Sequence, residues 1–246
     1  MSPPGPRSAA LVIVGDEILS GEVQDLNTPF LARRMWELGI RVSRIVVVGD
    51  RVEEIADEVR RQARANDYVI LTGGLGPTHD DVTRQAVAAA LELPLEVLPD
   101  AEDLLAIDYG ERLTPAERRM AELPRGARLL RGRQRLAFAF RVGGVLAFPG
   151  VPDLLRDVFE SAADQLLSDP FYKETLWVIG KEGDFSETLA AIQERHPGVG
   201  IGSYPVFLDG RYRCKVVLRA RDADALAAAA RDIHADLELD APPLEA

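Results

Sequence analysis

Cysteine is nearly missing. Cys214 is the one thiol in 246 residues, so no internal disulfide can form and a disulfide scaffold is excluded. Histidine is almost as scarce, with residues only at positions 79, 196 and 234, and these offer no zinc-ligand spacing. Hydrophobic runs such as Ala9 to Val14 and Ile45 to Val48 stay strand-sized, far below the roughly 20 residues that cross a bilayer. Positive charge is short as well: 29 Lys and Arg against 40 Asp and Glu leave a net −11, which opposes general binding to nucleic acid or anionic lipid. Met1 to Pro6 has no basic region leading into an apolar stretch and reads as a short tail rather than a signal peptide. With 47% hydrophobic and 28% charged residues, the composition is that of a globular chain. A cytoplasmic enzyme or small-ligand binder is expected, with no nucleic acid and no membrane among its partners.

The first half alternates between two hydrophobic periods. Ala9 to Val14, Val42 to Val48 and Tyr68 to Leu71 are runs suited to parallel strands covered on both faces. Between them, Thr28 to Leu38, Glu53 to Ala65 and Val82 to Leu91 carry apolar stripes at helical spacing. Strand and helix in alternation predict right-handed βαβ crossovers and a doubly wound parallel sheet. A helix is expected from about Asp100 to Met120, then short strands at Ala127 to Leu130 and Leu136 to Arg141. A buried strand at Val145 to Phe148 and a closing helix at Leu154 to Leu167 follow. Ser168-Asp169-Pro170 breaks that helix, so the first domain spans 1–168. The second, 171–246, reads as a small α+β unit of order βαββα, with a turn at Asp209-Gly210 between two strands.

Ligands of open α/β sheets sit outside the carboxyl ends of the strands, and the loops leaving that edge are conspicuous. They are Gly15-Asp16-Glu17 with Asn27 beyond, Gly49-Asp50, and Thr72-Gly73-Gly74-Leu75-Gly76-Pro77-Thr78-His79-Asp80-Asp81. Three glycines in a tight turn allow close backbone approach and amides that cradle phosphate, and the helix that follows adds its positive end. Thr72, Gly73, Gly74, Gly76 and Thr78 are therefore the expected phosphate contacts. Gly15, Asp16, Glu17, Asn27, Pro149 and Gly150 complete the expected ligand set. Asp80 and Asp81 would repel a bare phosphate, so a divalent metal, Mg²⁺ first, is expected between Asp50, Asp80, Asp81 and the phosphate oxygens. Asp81 alone is equally readable as a helix cap; on that basis Asp81→Asn is expected to cost well under ~1 kcal/mol while removing charge. His79 is readable equally as an acid or base and as an exposed loop residue, the arginines Arg125, Arg128, Arg131, Arg133 and Arg135 read as a solvated loop, and Cys214 as core.

GDEILSGEVQDLNTPFLARRMWELGI, the VVVGD strand end and TGGLGPTHDDVTRQAVA resemble the molybdopterin-binding (MoaB/Mog-like) domain, in its competence/damage-inducible protein A (CinA) branch. The stretch from Trp177 through Gly202 to Pro205 and the final helix resembles the KH-like domain found in CinA proteins and in eukaryotic FAD synthases. No counterpart of the deamidase domain that ends full-length CinA proteins is expected. The resemblance implies a pocket for a pterin or nucleotide phosphate at the glycine loop, with Asp81 and Asp50 catalytic, and a homo-oligomer. It implies metal-dependent hydrolysis of ADP-ribose, FAD or a similar dinucleotide. Molybdopterin binding in cofactor biosynthesis and a non-catalytic nucleotide-binding role are the alternatives. One stretch departs from the family pattern: an expected Asn-Pro-x-Gly-x-Ala-Pro-Gly loop is replaced at 132–139 by Gly-Arg-Gln-Arg-Leu-Ala-Phe-Ala.

Overall fold

The computed structural model describes residues 7–134, 138–166, 168, 170–208 and 210–241. The expected N-terminal tail, the centre of the 132–139 loop, Leu167, Asp169 and Asp209 lie outside the described residues. The chain divides into two compact units between positions 169 and 170.

The first unit opens with β1 (Arg7–Val14), α1 (Asp16–Leu19), α2 (Asn27–Glu37), β2 (Ile40–Val48), α3 (Val52–Ala65), β3 (Tyr68–Thr72) and α4 (Thr83–Ala90). It continues through β4 (Leu95–Val97), α5 (Pro99–Tyr109), α6 (Pro115–Arg118), β5 (Glu122–Pro124), β6 (Arg128–Arg131), β7 (Phe138–Val142), β8 (Val145–Phe148) and α7 (Pro152–Ala162). The main sheet runs β2-β1-β3-β8-β7-β6. β2, β1, β3 and β8 are parallel, in keeping with the doubly wound parallel sheet expected, and β7 alone runs against them, antiparallel to both of its neighbours β8 and β6. The short Gly143-Gly144 turn joining β7 to β8 leaves no room for a crossover helix.

Burial follows the sequence pattern. Every residue of β3 and β8 is buried. Leu31 and Met35 of α2 join Leu155, Val158 and Phe159 of α7 over one sheet face. Ile55 and Val59 of α3 join Ala86 and Val87 of α4 over the other. Each fully buried large side chain contributes about 1.5–3 kcal/mol relative to exposure. The expected helix over 100–120 is corrected: α5 stops at Tyr109, where Gly110 takes φ +58°, and Pro115 starts α6 with a Thr114–Glu117 capping box. Proline fits the first turn of a new helix but breaks the interior of an old one. β4 and β5 form a small antiparallel pair that the sequence pattern did not indicate.

The second unit comprises β9 (Tyr172–Ile179), α8 (Glu182–Arg195), β10 (Gly200–Leu208), β11 (Arg211–Ala220), α9 (Ala223–Asp236) and β12 (Leu239–Asp240). Its sheet, β10-β11-β9-β12, is antiparallel throughout. Leu176, Val178, Cys214, Val216 and Leu218 of the sheet pack with Phe185, Ile192, Leu226 and Ile233 of α8 and α9. Cys214 is thus a core residue. No helix among the described residues is long and apolar enough to cross a membrane.

Candidate functional site

The glycine turn begins where β3 ends. Gly73 has φ +103°, and a Cβ there would lie 2.1 Å from the Val14 carbonyl oxygen. Gly74 has φ +64°, and a Cβ there would lie 2.5 Å from Thr83 Oγ1. Neither position accepts a side chain. The first residues of α4 hold the turn's carbonyls: Thr83 Oγ1 donates to Gly73 O at 2.8 Å, Thr83 N to Gly74 O at 3.1 Å, and Arg84 Nη2 to Gly76 O at 3.2 Å. In a trans peptide the N–H points opposite the C=O. The amides of Gly74 and Leu75 are thereby turned away from α4, and neither has a hydrogen-bond partner among the described residues.

Asp81 does something different from the expected cap. Its Oδ1 accepts from Gly76 N–H at 2.8 Å and its Oδ2 from Thr78 N–H at 2.9 Å, with the Thr78 hydroxyl also donating to Oδ2. The N-cap of α4 is Val82, with no side-chain cap. Asp81 therefore ties the turn shut, and the expected phosphate contacts at the Gly76 and Thr78 amides are committed to it. Equivalence of Asn and Asp at a cap no longer applies, because both carboxylate oxygens are in use.

Asp50, after β2, is half-buried and accepts the Asp16 N–H at 2.8 Å. Burial, with the negative charges of Glu17, Asp16 and Asp80, raises its carboxyl above the ordinary value, against the Asp16 hydrogen bond that lowers it. Asp80 is exposed and lowered instead, first by the Thr78 hydroxyl. The Asp16 carboxylate rests against Gly49, where a Cβ would lie 2.4 Å from its Oδ1.

A cavity of about 610 Å³ opens here, lined by Glu17, Asp50, Gly73, Gly74, Gly76, Thr78, Asp80, Asp81, Pro149 and Gly150. Gly15 and Asp16, expected as ligand contacts, do not line it. Asn27 and Thr72 lie in an adjoining recess of about 70 Å³ and act as a clasp: Asn27 Nδ2 donates to Thr72 Oγ1 at 3.0 Å and to Gly150 O at 2.7 Å, and Thr72 Oγ1 donates to Pro149 O at 3.0 Å. The cavity also has an apolar wall, built from Leu75, Tyr109, Met120, Phe138, Val151 and Leu154, and sequence reasoning missed it. The residues come from the glycine turn, α5, the 3-10 helix Arg119–Ala121, β7 and α7 with its N-cap, and none carries a local signal beyond being apolar. His79 is 99% exposed in its side chain and lies outside this cavity. Among the described residues no group of three or more His, Cys, Asp or Glu is placed to hold a metal.

Residues 10–169 match the family described as a probable molybdopterin binding domain. The chain belongs to this family. Within the molybdopterin-binding domain family its likeness is to CinA proteins. The crystal structure of CinA from Thermoplasma acidophilum, a protein of unknown function, is 31% identical with a TM-score of 0.62, covering 65% of this chain and 98% of that one. The MoaB/Mog-like α/β fold is thus that of the first unit. A CinA-like protein of Citrifermentans bemidjiense is 37% identical over 88% of this chain and 54% of its own length. Residues 170–242 match the middle domain of FAD synthase. The probable FAD synthase of Caenorhabditis briggsae is 33% identical over 92% of this chain and 49% of its own length. The chain spans about half the length of the relatives of this kind that it matches.

Proposed function

We propose that this member of the molybdopterin-binding domain family binds a dinucleotide such as ADP-ribose or FAD and hydrolyses its phosphoanhydride. The observation that carries the reading is the pairing of two surfaces in one cavity: a glycine turn whose Gly74 and Leu75 amides have no partner among the described residues, and apolar lining from Tyr109, Met120 and Phe138. Such a pairing suits a phosphate joined to a flat heterocycle. The likeness of residues 170–242 to a FAD synthase domain adds FAD to the ligands worth testing.

Asp50 and Asp80 differ in a way that suits two roles. A carboxyl whose affinity for protons is raised can accept one from an attacking water, while one held ionised supplies fixed negative charge. The turn amides would orient the phosphate and stabilise charge on its oxygens. Because no three carboxylates are placed to hold an ion by themselves among the described residues, one or two of Asp50, Asp80 and Glu17, which all line the cavity, would hold Mg²⁺. That fits an ion bound through one or two carboxylates together with ligand phosphates rather than in an all-protein cage. When bound, the ion would neutralise the phosphoanhydride oxygens.

Purified protein incubated with ADP-ribose, FAD or NAD and Mg²⁺, Mn²⁺ or Co²⁺ should release AMP. Absence of AMP above blank with every pair overturns the hydrolytic reading. The family's own description supports a second reading, molybdopterin as the ligand; normal molybdoenzyme activity in a deletion strain would exclude it. Tight ADP-ribose binding without turnover would assign a non-catalytic nucleotide-binding role.

A further inference from the structure

Arg84 has no part in the expected site, yet it is 5% exposed and its charge is costly to bury. Its place on α4, three and four residues before buried Val87 and Ala88, puts it on the helix's inner face. Burial pushes the guanidinium down, with Asp81 and Glu122 opposing that and Arg119 adding to it. No carboxylate lies within ion-pairing distance of Arg84 among the described residues. Its Nη groups instead donate to two backbone carbonyls, Gly76 O and Arg119 O, while Nε is buried without a partner.

Those two carbonyls belong to the two halves of the pocket. Gly76 closes the turn that presents the Gly74 and Leu75 amides. Arg119 begins the short 3-10 helix Arg119–Ala121, whose Met120 is part of the apolar wall. That helix is itself tied to the start of α5 through Leu98 N–H to Ala121 O at 2.9 Å, and α5 ends on the wall residue Tyr109.

We propose that Arg84 is a positioning residue that fixes the spacing between the phosphate-facing turn and the ring-facing wall. The planar fork of arginine suits it to span two acceptors. Lysine, a single ammonium on a flexible stem, keeps the charge but reaches one carbonyl at a time. The proposal deepens the dinucleotide reading and rests on it for its consequence in ligand binding, though the tie itself is testable without ligand.

The test compares wild type, Arg84→Lys and Arg84→Met in the full chain. Amide-resolved hydrogen exchange without ligand should speed up in both variants at Gly76 and Thr78 on one side and at Leu98 on the other. Calorimetry with ADP-ribose, at a temperature where each variant is fully folded, should then show roughly tenfold weaker binding to Arg84→Lys. Binding of pyrophosphate alone, which on the dinucleotide reading would engage only the turn, should change less than about threefold. Exchange that rises on one side only, or on neither, overturns the proposal, as does an equal loss for pyrophosphate and ADP-ribose. Should wild type bind neither ADP-ribose nor FAD, the dinucleotide reading fails while the exchange result still decides the role of Arg84. If Arg84→Met fails to fold, Arg84→Lys alone carries the comparison.

Discussion

Asp50 and Asp81 sit on the same cavity but are held by opposite kinds of contact, and the difference separates what each substitution does. Asp50 accepts one backbone N–H and is otherwise surrounded by burial and negative charge that raise its proton affinity. A carboxyl raised in the folded state favours folding when protonated, and that contribution is lost as pH rises through the raised value. Ionised Asp50 therefore weakens the fold at neutral pH. Asp50→Asn, whose amide oxygen can still accept the Asp16 N–H, should raise the melting temperature at pH 7, with the gain shrinking as pH falls towards 3.8, the ordinary aspartate value. The same variant should lose about 10²-fold or more in AMP release if Asp50 is the proton acceptor. For wild type, kcat/KM should climb with pH above the usual aspartate range. A flat profile, or an Asn variant that retains full rate, would remove Asp50 from the chemistry. Asp81 uses both oxygens, and Asn offers one oxygen and an NH₂ that faces donors. Asp81→Asn should cost about 1–2 kcal/mol in chemical denaturation and slow AMP release through a loosened turn. An unchanged denaturation midpoint would show that these bonds carry no stability.

At the scale of elements, the turn between β3 and α4 makes the sharpest demand on sequence. A methyl at Gly73 would run into the Val14 main-chain oxygen, and β1 is buried from Ala9 to Val14 and cannot retreat. At Gly74 the obstacle is the Thr83 side chain. Gly73→Ala should therefore destabilise by about 2 kcal/mol or more, and more than Gly74→Ala, since positive-φ strain of 1–3 kcal/mol applies to both. Equal melting temperatures for the two variants would contradict this ordering.

The glycines and the strand ends that carry them were legible because each depends on local rules: a buried β-branched run, a turn that needs positive φ, an amphipathic stripe. The Val145–Phe148 strand is observed with the bounds its apolar run indicates. What was not legible depends on distant partners. Nothing near Asp81 in sequence reveals that its acceptors face backward to Gly76 and Thr78 rather than forward to α4. Met120 and Phe138 meet Leu75 only once β5, β7 and the turn are folded together. Arg84 was visible in principle, as a cation at helical spacing with Val87 and Ala88, but spacing alone does not name the carbonyls it would reach.

Over the whole molecule, the cores are separate. Val12, Ile55, Val87 and Phe140 belong to one cluster and Leu11, Leu31, Phe148 and Phe159 to another, both within the first unit. Val178, Phe185, Val216 and Ile233 belong to a third within the second. Every residue lining the 610 Å³ cavity lies between Val14 and Leu154, so both the walls and the scaffold beneath them are contained in residues 1–169. A domain of that size buries enough surface to fold alone, whereas residues 170–246, a much smaller unit, bury a smaller fraction of theirs. Residues 1–169 expressed by themselves should melt cooperatively and bind ADP-ribose within about threefold of the full chain, a difference of less than 1 kcal/mol. Residues 170–246 should unfold at lower denaturant concentration, because a smaller unit has less buried surface to set against chain entropy. If the larger piece folds but loses affinity by tenfold or more, the second unit supplies part of the ligand contact and the site is not confined to the first. If it fails to fold, the first unit depends on residues 170–246 for its stability. Retained affinity would instead leave the second unit free for a role separate from capture of this ligand.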